Sequence, residues 1–326
     1  MRLFNFLSKF QDKSDTPGTD EIRPREELLE AVDLVAKLSH PNIHYVSHYR
    51  KRLLPAVEHT LKYADELIVQ LPPPISIDAD SWKTSPFVRK TFMDNDAFKE
   101  FFSQNKYLNK FFQKTKVDRC CVLLVMTPKK RKTLGVELDG EIVRRDVLQT
   151  SIDFSEHQLV AARATETETR KVLSLRVLSL LASHSLEEIL SLIAMKKDME
   201  TEKRILEIKI HLRDSLVQSR KSLLPDASET PGEPSDPQEI LGKIDKEIEK
   251  VRVQLDKPED YLNHVTDLLY HPDQFFKSVP VRMFVNDMNI IVKGDHPVDA
   301  DDIRFTEMTT SAGFRKAVVL VDYRRF

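Results

Sequence analysis

A run of helical periodicity, residues 186–257, separates two stretches whose apolar residues recur at a spacing of two. Strands that are interrupted by helices, rather than alternating with them, read as an α+β fold. The expected architecture has a helical N-terminal region, two antiparallel β-segments able to form one joint sheet, and a long helical hairpin between them. Such a hairpin presents a surface more readily than it encloses a substrate.

The first arm of that hairpin opens at Ser185-x-x-Glu188, a capping box, and continues to about Leu223. The second opens at Asp236-Pro237-Gln238-Glu239, with a cap residue, a proline at the first helical position and an acid beyond. Its apolar seam is Leu241, Ile244, Ile248, Val251 and Leu255, spaced 3, 4, 3, 4 as interlocking helices require. These five are the candidate partner-binding residues. The first arm is less regular, with Ile205, Ile208, Leu212 and Leu216 as its expected seam, so the pair is expected to carry a local stutter. A Pro- and acid-rich linker, 225–236, joins the arms.

Segment boundaries follow from turn and capping signals. Residues 1–24 are a short amphipathic peptide and a polar linker, and 1–10 could lie weakly on a membrane surface. Residues 25–117 read as helical: one helix begins at Glu26, and a second uses Val57, Leu61, Ala64 and Ile68, with Pro55 in its first turn. Aromatic steps from Phe87 to Phe112 follow. Residues 118–164 read as a β-meander. It contains a continuous apolar strand, Cys120–Met126, an Asp139-Gly140 turn and a further strand at Ser151–Phe154. Residues 165–278 are helical, opening at the capping box Thr165-x-x-Glu168, with that first helix ending near Ser183. Residues 279–326 return to strands that pack with 118–164.

Composition excludes several functions. Only 7 glycines occur in 326 residues, against about 23 at average usage, and none falls in a phosphate-cradling motif. A P-loop or dinucleotide-binding enzyme is therefore not expected. No G-x-S-x-G or H-E-x-x-H is present, and no cofactor is implied. The two cysteines, Cys120 and Cys121, are adjacent in an apolar run, which suits buried, reduced thiols and a cytoplasmic protein. No stretch approaches the ~20 apolar residues of a transmembrane helix, and none is expected.

Three constellations could carry chemistry. Between Lys99 and Lys132 stand ten cations against two acids, in a chain of net charge −2. Lys106, Lys110 and Lys114 share one helical face, and Lys129, Lys130, Arg131 and Lys132 form a basic run, so the stretch could bind nucleic acid or another polyanion. His44 and His48, one turn apart on a helix, could ligate a metal, and His264, Asp267 and His271 form a similar set. Asp295, Asp299, Asp301 and Asp302 could hold a divalent cation, although a solvated loop suits them better.

The expected function is therefore a non-catalytic scaffold or adaptor that binds another protein, or a second copy of itself, through the hairpin. Polyanion binding through residues 99–132 is the alternative, and a metal-dependent enzyme using the histidine or aspartate sets is the third reading.

Overall fold

The computed structural model describes residues 23–139, 142–223, 237–255, 257–292, 294, 297 and 300–326. The peptide 1–10, the linker 225–236, Gly140, Asp295 and Asp299 lie outside the described residues. The fold is α+β, and the chain divides into two compact units. One comprises Met1–Pro24, Glu58–Leu180 and His271–Phe326; the other comprises Arg25–Val57 and Leu181–Tyr270.

The first unit is built on a seven-stranded sheet: β1 (Ile75–Ile77), β2 (Arg119–Asp139), β3 (Ile142–Arg163), β4 (Phe276–Val285), β5 (Ile291–Val292), β6 (Asp301–Thr310) and β7 (Arg315–Arg324). Their order is β3-β2-β7-β6-β4-β5, all antiparallel, with β1 lying parallel to the end of β7. The two β-segments thus form one sheet, joined where β2 pairs with β7 from Arg119↔Arg324 to Met126↔Ala317. Both strands are continuous apolar runs because both faces of the sheet are covered. Cys120, Val122, Leu124 and Met126, with Val319, Val321 and Tyr323, face a set of short helices. Leu123, Val125 and Val318 face the other way.

The short helices are α3 (Ser81–Thr84), α4 (Pro86–Thr91), α5 (Asn95–Ser103) and α6 (Lys106–Thr115), numbered after α1 (Arg25–Leu38) and α2 (Tyr49–Val69). Phe87, Phe98, Phe102, Leu108 and Phe112 from them fill the core on that face of the sheet. Asn105 caps α6 by accepting from the amides of Tyr107 and Leu108, and Lys116 ends it in the left-handed conformation.

No meander forms from residues 118–164. β2 and β3 are instead one long ribbon, so Ser151–Phe154 belongs to β3 rather than being a separate strand. Three register shifts interrupt the ribbon, and Asp146, Glu156 and Ala161 of β3 sit beside them with φ near +55 to +59°. Each supplies the extra length of a bulge, which turns the strand and re-aims its side chains.

After the ribbon comes α7 (Glu166–Leu223), one helix of 58 residues. Its start is the expected capping box: Thr165 Oγ1 accepts from the Glu168 amide and Glu168 Oε2 from the Thr165 amide, both at 3.3 Å. Arg170 then anchors it by donating to the carbonyls of Ile68 and Leu71. The second box, at Ser185, is not a cap. Ser185 is buried in mid-helix, where its hydroxyl donates to Ala182 O and contacts Ser39 Oγ, so two expected helices are one.

Among the described residues, one helix, α7, is long and apolar enough to cross a membrane by length and composition. An 18-residue window of it has mean hydropathy 1.5, and 39% of that window is buried inside the protein. A search for an unbroken apolar run misses it, because α7 interleaves its leucines with serines, Arg176 and His184.

The second unit is helical. It contains α1, a 3₁₀ turn at Pro41–Tyr45, the first turns of α2, the later part of α7, α8 (Pro237–Gln254) and α9 (Pro258–Tyr270). α2 begins a turn and a half earlier than its apolar spacing suggests. The carbonyl of His48 accepts from the amides of Lys51 and Arg52, which places Pro55 inside the helix. His40 accepts from the Asn42 amide and stacks on Tyr261, with ring centroids 4.2 Å apart.

Candidate functional site

Both hairpin arms exist; the seam of the second is the expected one, and that of the first differs. Lys203 Nζ on α7 lies 2.6 Å from Asp245 Oδ1 on α8, and this hydrogen bond raises the lysine's pKa. The half-buried positions of α7 follow from that contact: Leu192, Lys196, Met199, Lys203, Leu206 and Ile210, spaced 4, 3, 4, 3, 4. On α8 the apolar seam is covered within the unit, with Ile244, Val251 and Leu255 buried and Leu241 and Ile248 half-buried. The five residues proposed from sequence as partner-binding therefore face their own chain, because the regular 3-4 spacing that singles them out is the spacing of an intramolecular seam.

The apolar residues of α7 without such cover are Ile205, Ile208, Leu212 and Leu216, exposed by 50, 54, 60 and 69%. At 100° per residue they lie about 140–220° around the helix from Lys203, on the side away from α8. Leu190, also half-exposed, falls on the same side. They were the expected first-arm seam, and the structure places them opposite it. Along one edge of this stripe, seven residues apart, run the exposed side chains of Lys197, Arg204 and His211. Among the described residues no carboxylate pairs with Lys197 or Arg204. The result is an apolar row with a basic border.

The basic stretch is divided between two elements. Lys106, Lys110 and Lys114 are exposed along α6, and Lys129, Lys130, Arg131 and Lys132 are exposed on the ribbon. Tyr107 marks where α6 meets the ribbon, since its hydroxyl accepts from the Ala162 amide at 2.8 Å. Ala162 lies in the bulge between the pairs Cys121↔Arg163 and Leu123↔Val160, and Lys129 is six residues beyond Leu123 on β2, about 20 Å for an extended strand. Lys129 to Lys132 pair with Asp153, Ile152, Ser151 and Thr150, so the basic run is one strand of a ribbon.

The metal readings lose their geometry. His44 sits in the 3₁₀ turn with its ring edge-on to Tyr49, and His48 has φ +57° at the head of α2. Val46 is extended between them, so the two histidines are not one turn apart on a single helix. His264 instead contacts Glu188 Oε2 at 3.1 Å, and the other oxygen of Glu188 contacts His184 at 3.1 Å. Asp301 faces Lys90 at 3.4 Å, and Asp302 is held by Arg282 and Arg304, so both carboxylates already have cations. No group of three or more metal-ligating side chains is present among the described residues. Cys120 and Cys121 are buried free thiols; burial pushes them up to about 12 and about 11.

The signal for the true exposed face was in the sequence. Lys196 and Lys203 occupy two of six seam positions, their stems packed and their heads at the border. A hydrophobic count alone therefore selects the wrong side of α7. The chain matches no family model, no curated protein and no solved structure.

Proposed function

We propose that this is a non-catalytic, cytoplasmic adaptor whose α7 receives an amphipathic helix of a partner protein, one carrying carboxylates along the edge that meets Lys197 and Arg204. The observation that carries the reading is the exposed row Ile205, Ile208, Leu212 and Leu216 on the side of α7 away from α8. Soluble proteins rarely leave a contiguous apolar row uncovered, and helix-in-groove recognition uses anchors at this 3-4 spacing. The basic border supplies complementarity and orientation. Buried, unpaired thiols suit the compartment. Polyanion binding has less support, because its two groups of cations stand apart.

The test uses a designed helical peptide with leucines at the facing positions and glutamates along one edge, with its lysine counterpart as control. Calorimetric titration into the full chain should detect the glutamate peptide and not the lysine one. Ile208→Asp with Leu212→Asp should abolish binding with an unchanged circular dichroism spectrum, since both side chains are largely in water. Equal binding of the two peptides, or of neither, would overturn the reading. Light scattering that showed a dimer dissociated by the double variant would replace the partner helix with a second copy.

A further inference from the structure

The face of the sheet turned away from the aromatic helices contains a cavity of about 80 Å³, entirely within the first unit. Its walls are mostly aliphatic, among them Leu123 and Val125 of β2, Val318 of β7, Met308 of β6, and Leu173 and Val177 of α7. Three polar side chains also line it: Arg176, Thr310 and Lys316. Lys316 is already neutralised, its ammonium donating to Glu156 at 2.9 Å and to Thr127 at 2.6 Å.

The other two polar groups lack partners. Among the described residues nothing accepts a hydrogen bond from the Arg176 guanidinium and no carboxylate pairs with it. Burial lowers its pKa, the Tyr107 phenol partly opposes this, and the nearby Arg163 adds to it. The Thr310 hydroxyl is buried and makes no hydrogen bond. The Arg176 side chain is half-buried and the Thr310 hydroxyl fully buried, and a buried hydroxyl without a partner is unfavourable in an apolar setting and seldom retained in native proteins.

We infer that this cavity is a binding site for a short apolar monocarboxylate, its tail among the aliphatic walls and its headgroup on Arg176, with Thr310 as a second donor. Charge selects the headgroup: the Arg176 guanidinium, which no carboxylate among the described residues neutralises, matches a carboxylate. Volume selects the length. At roughly 10–15 Å³ per water on this scale, the cavity holds about six waters, which corresponds to a ligand of about six to eight non-hydrogen atoms. Such a site is independent of the outer face of α7 and does not depend on the adaptor reading.

The experiment follows methyl resonances of the full chain by NMR during titration with hexanoate, hexan-1-ol and dodecanoate at pH 7. Hexanoate should shift the methyls of Val125, Leu173, Val177 and Val318 saturably and bind at least about tenfold more tightly than hexan-1-ol, the difference being the charge-assisted contact. Dodecanoate should bind more weakly than hexanoate. Arg176→Met, which keeps the length of the side chain without its charge, should remove the preference for hexanoate and leave hexan-1-ol unchanged. Should that variant fail to fold, the comparison of hexanoate with hexan-1-ol in the unaltered chain still decides. Equal binding of acid and alcohol would overturn the carboxylate site. Absence of saturable shifts at the cavity methyls would overturn the site altogether.

Discussion

Glu156 stands at a bulge of β3 with φ +55°, where the extra residue turns its side chain toward β7. There it accepts from Lys316 and from Thr127 at 2.7 Å, and these contacts lower its pKa from 4.5 to about 2. A carboxylate depressed on folding stabilises the native state above its ordinary pKa and ceases to do so as pH falls through its folded value. The stability difference between the natural chain and Glu156→Gln should therefore be constant above about pH 4.5, shrink below it and vanish near pH 2 in urea titrations across that range. Added salt should reduce it, since the carboxylate lies in water. A difference that persisted undiminished to pH 2 would mean that the ion pair is not its source. The thiols make the complementary case. Raised to about 12 and about 11 by burial in β2, Cys120 and Cys121 should resist iodoacetamide at pH 8 in the native protein and both react once it is unfolded, as mass spectrometry would read. Rapid native alkylation of either would show that the strand opens locally.

At the scale of single elements, α6 offers the most direct test of how a helix end is built. Lys116 closes it at φ +54°, ψ +28°, a conformation that costs an L side chain energy and glycine almost none. Lys116→Gly should raise stability by about 0.5–1 kcal/mol, measured as a shift in the urea midpoint at unchanged slope. A loss of stability would assign the exposed lysine a role beyond the cap. Elements of this kind separate what the sequence disclosed from what it withheld. Strands β2 and β7, the aromatic helices and the Thr165 cap were legible because local pattern and tertiary role agree in them. Ser185 carries the same capping letters as Thr165, yet α7 runs through it, since packing against Ser39 satisfies its hydroxyl and keeps the helix intact. The bulges of β3 were invisible because Asp146, Glu156 and Ala161 adopt positive φ without a glycine to announce it. The outer face of α7 was misassigned for a third reason: charge placement, and not hydrophobicity, decides which side of a helix meets its neighbour.

At the scale of the molecule, the sheet depends on the last strand of the chain. β7 makes the main connection between the segment before the helical insertion and the segment after it, with β2 on one edge and β6 and β1 sharing the other. Its residues Val318 to Val321 are buried, and contacts between segments nearly two hundred residues apart close only after β7 docks. Loop-closure entropy must be met before these non-local pairings contribute, so the sheet should form late and as a unit. Native-state hydrogen exchange should consequently divide the ribbon of β2 and β3. Amides of Val122–Val125 and Val318–Val321 should exchange only through global unfolding, with a denaturant dependence equal to that of the whole transition. Amides of Lys130–Val136 have no third strand beside them except near the bridge between Ser151 and Ile290, and the side chains of Leu134 and Val136 lie in solvent. They should exchange orders of magnitude faster, through local opening of a two-stranded ribbon that is only marginally stable by itself. Removing residues 315–326 should abolish the cooperative transition of the first unit and leave far-ultraviolet helical signal behind. If the truncated chain instead unfolded with the same slope, or if the two sets of amides exchanged alike, β7 would not be the strand on which closure of the sheet depends.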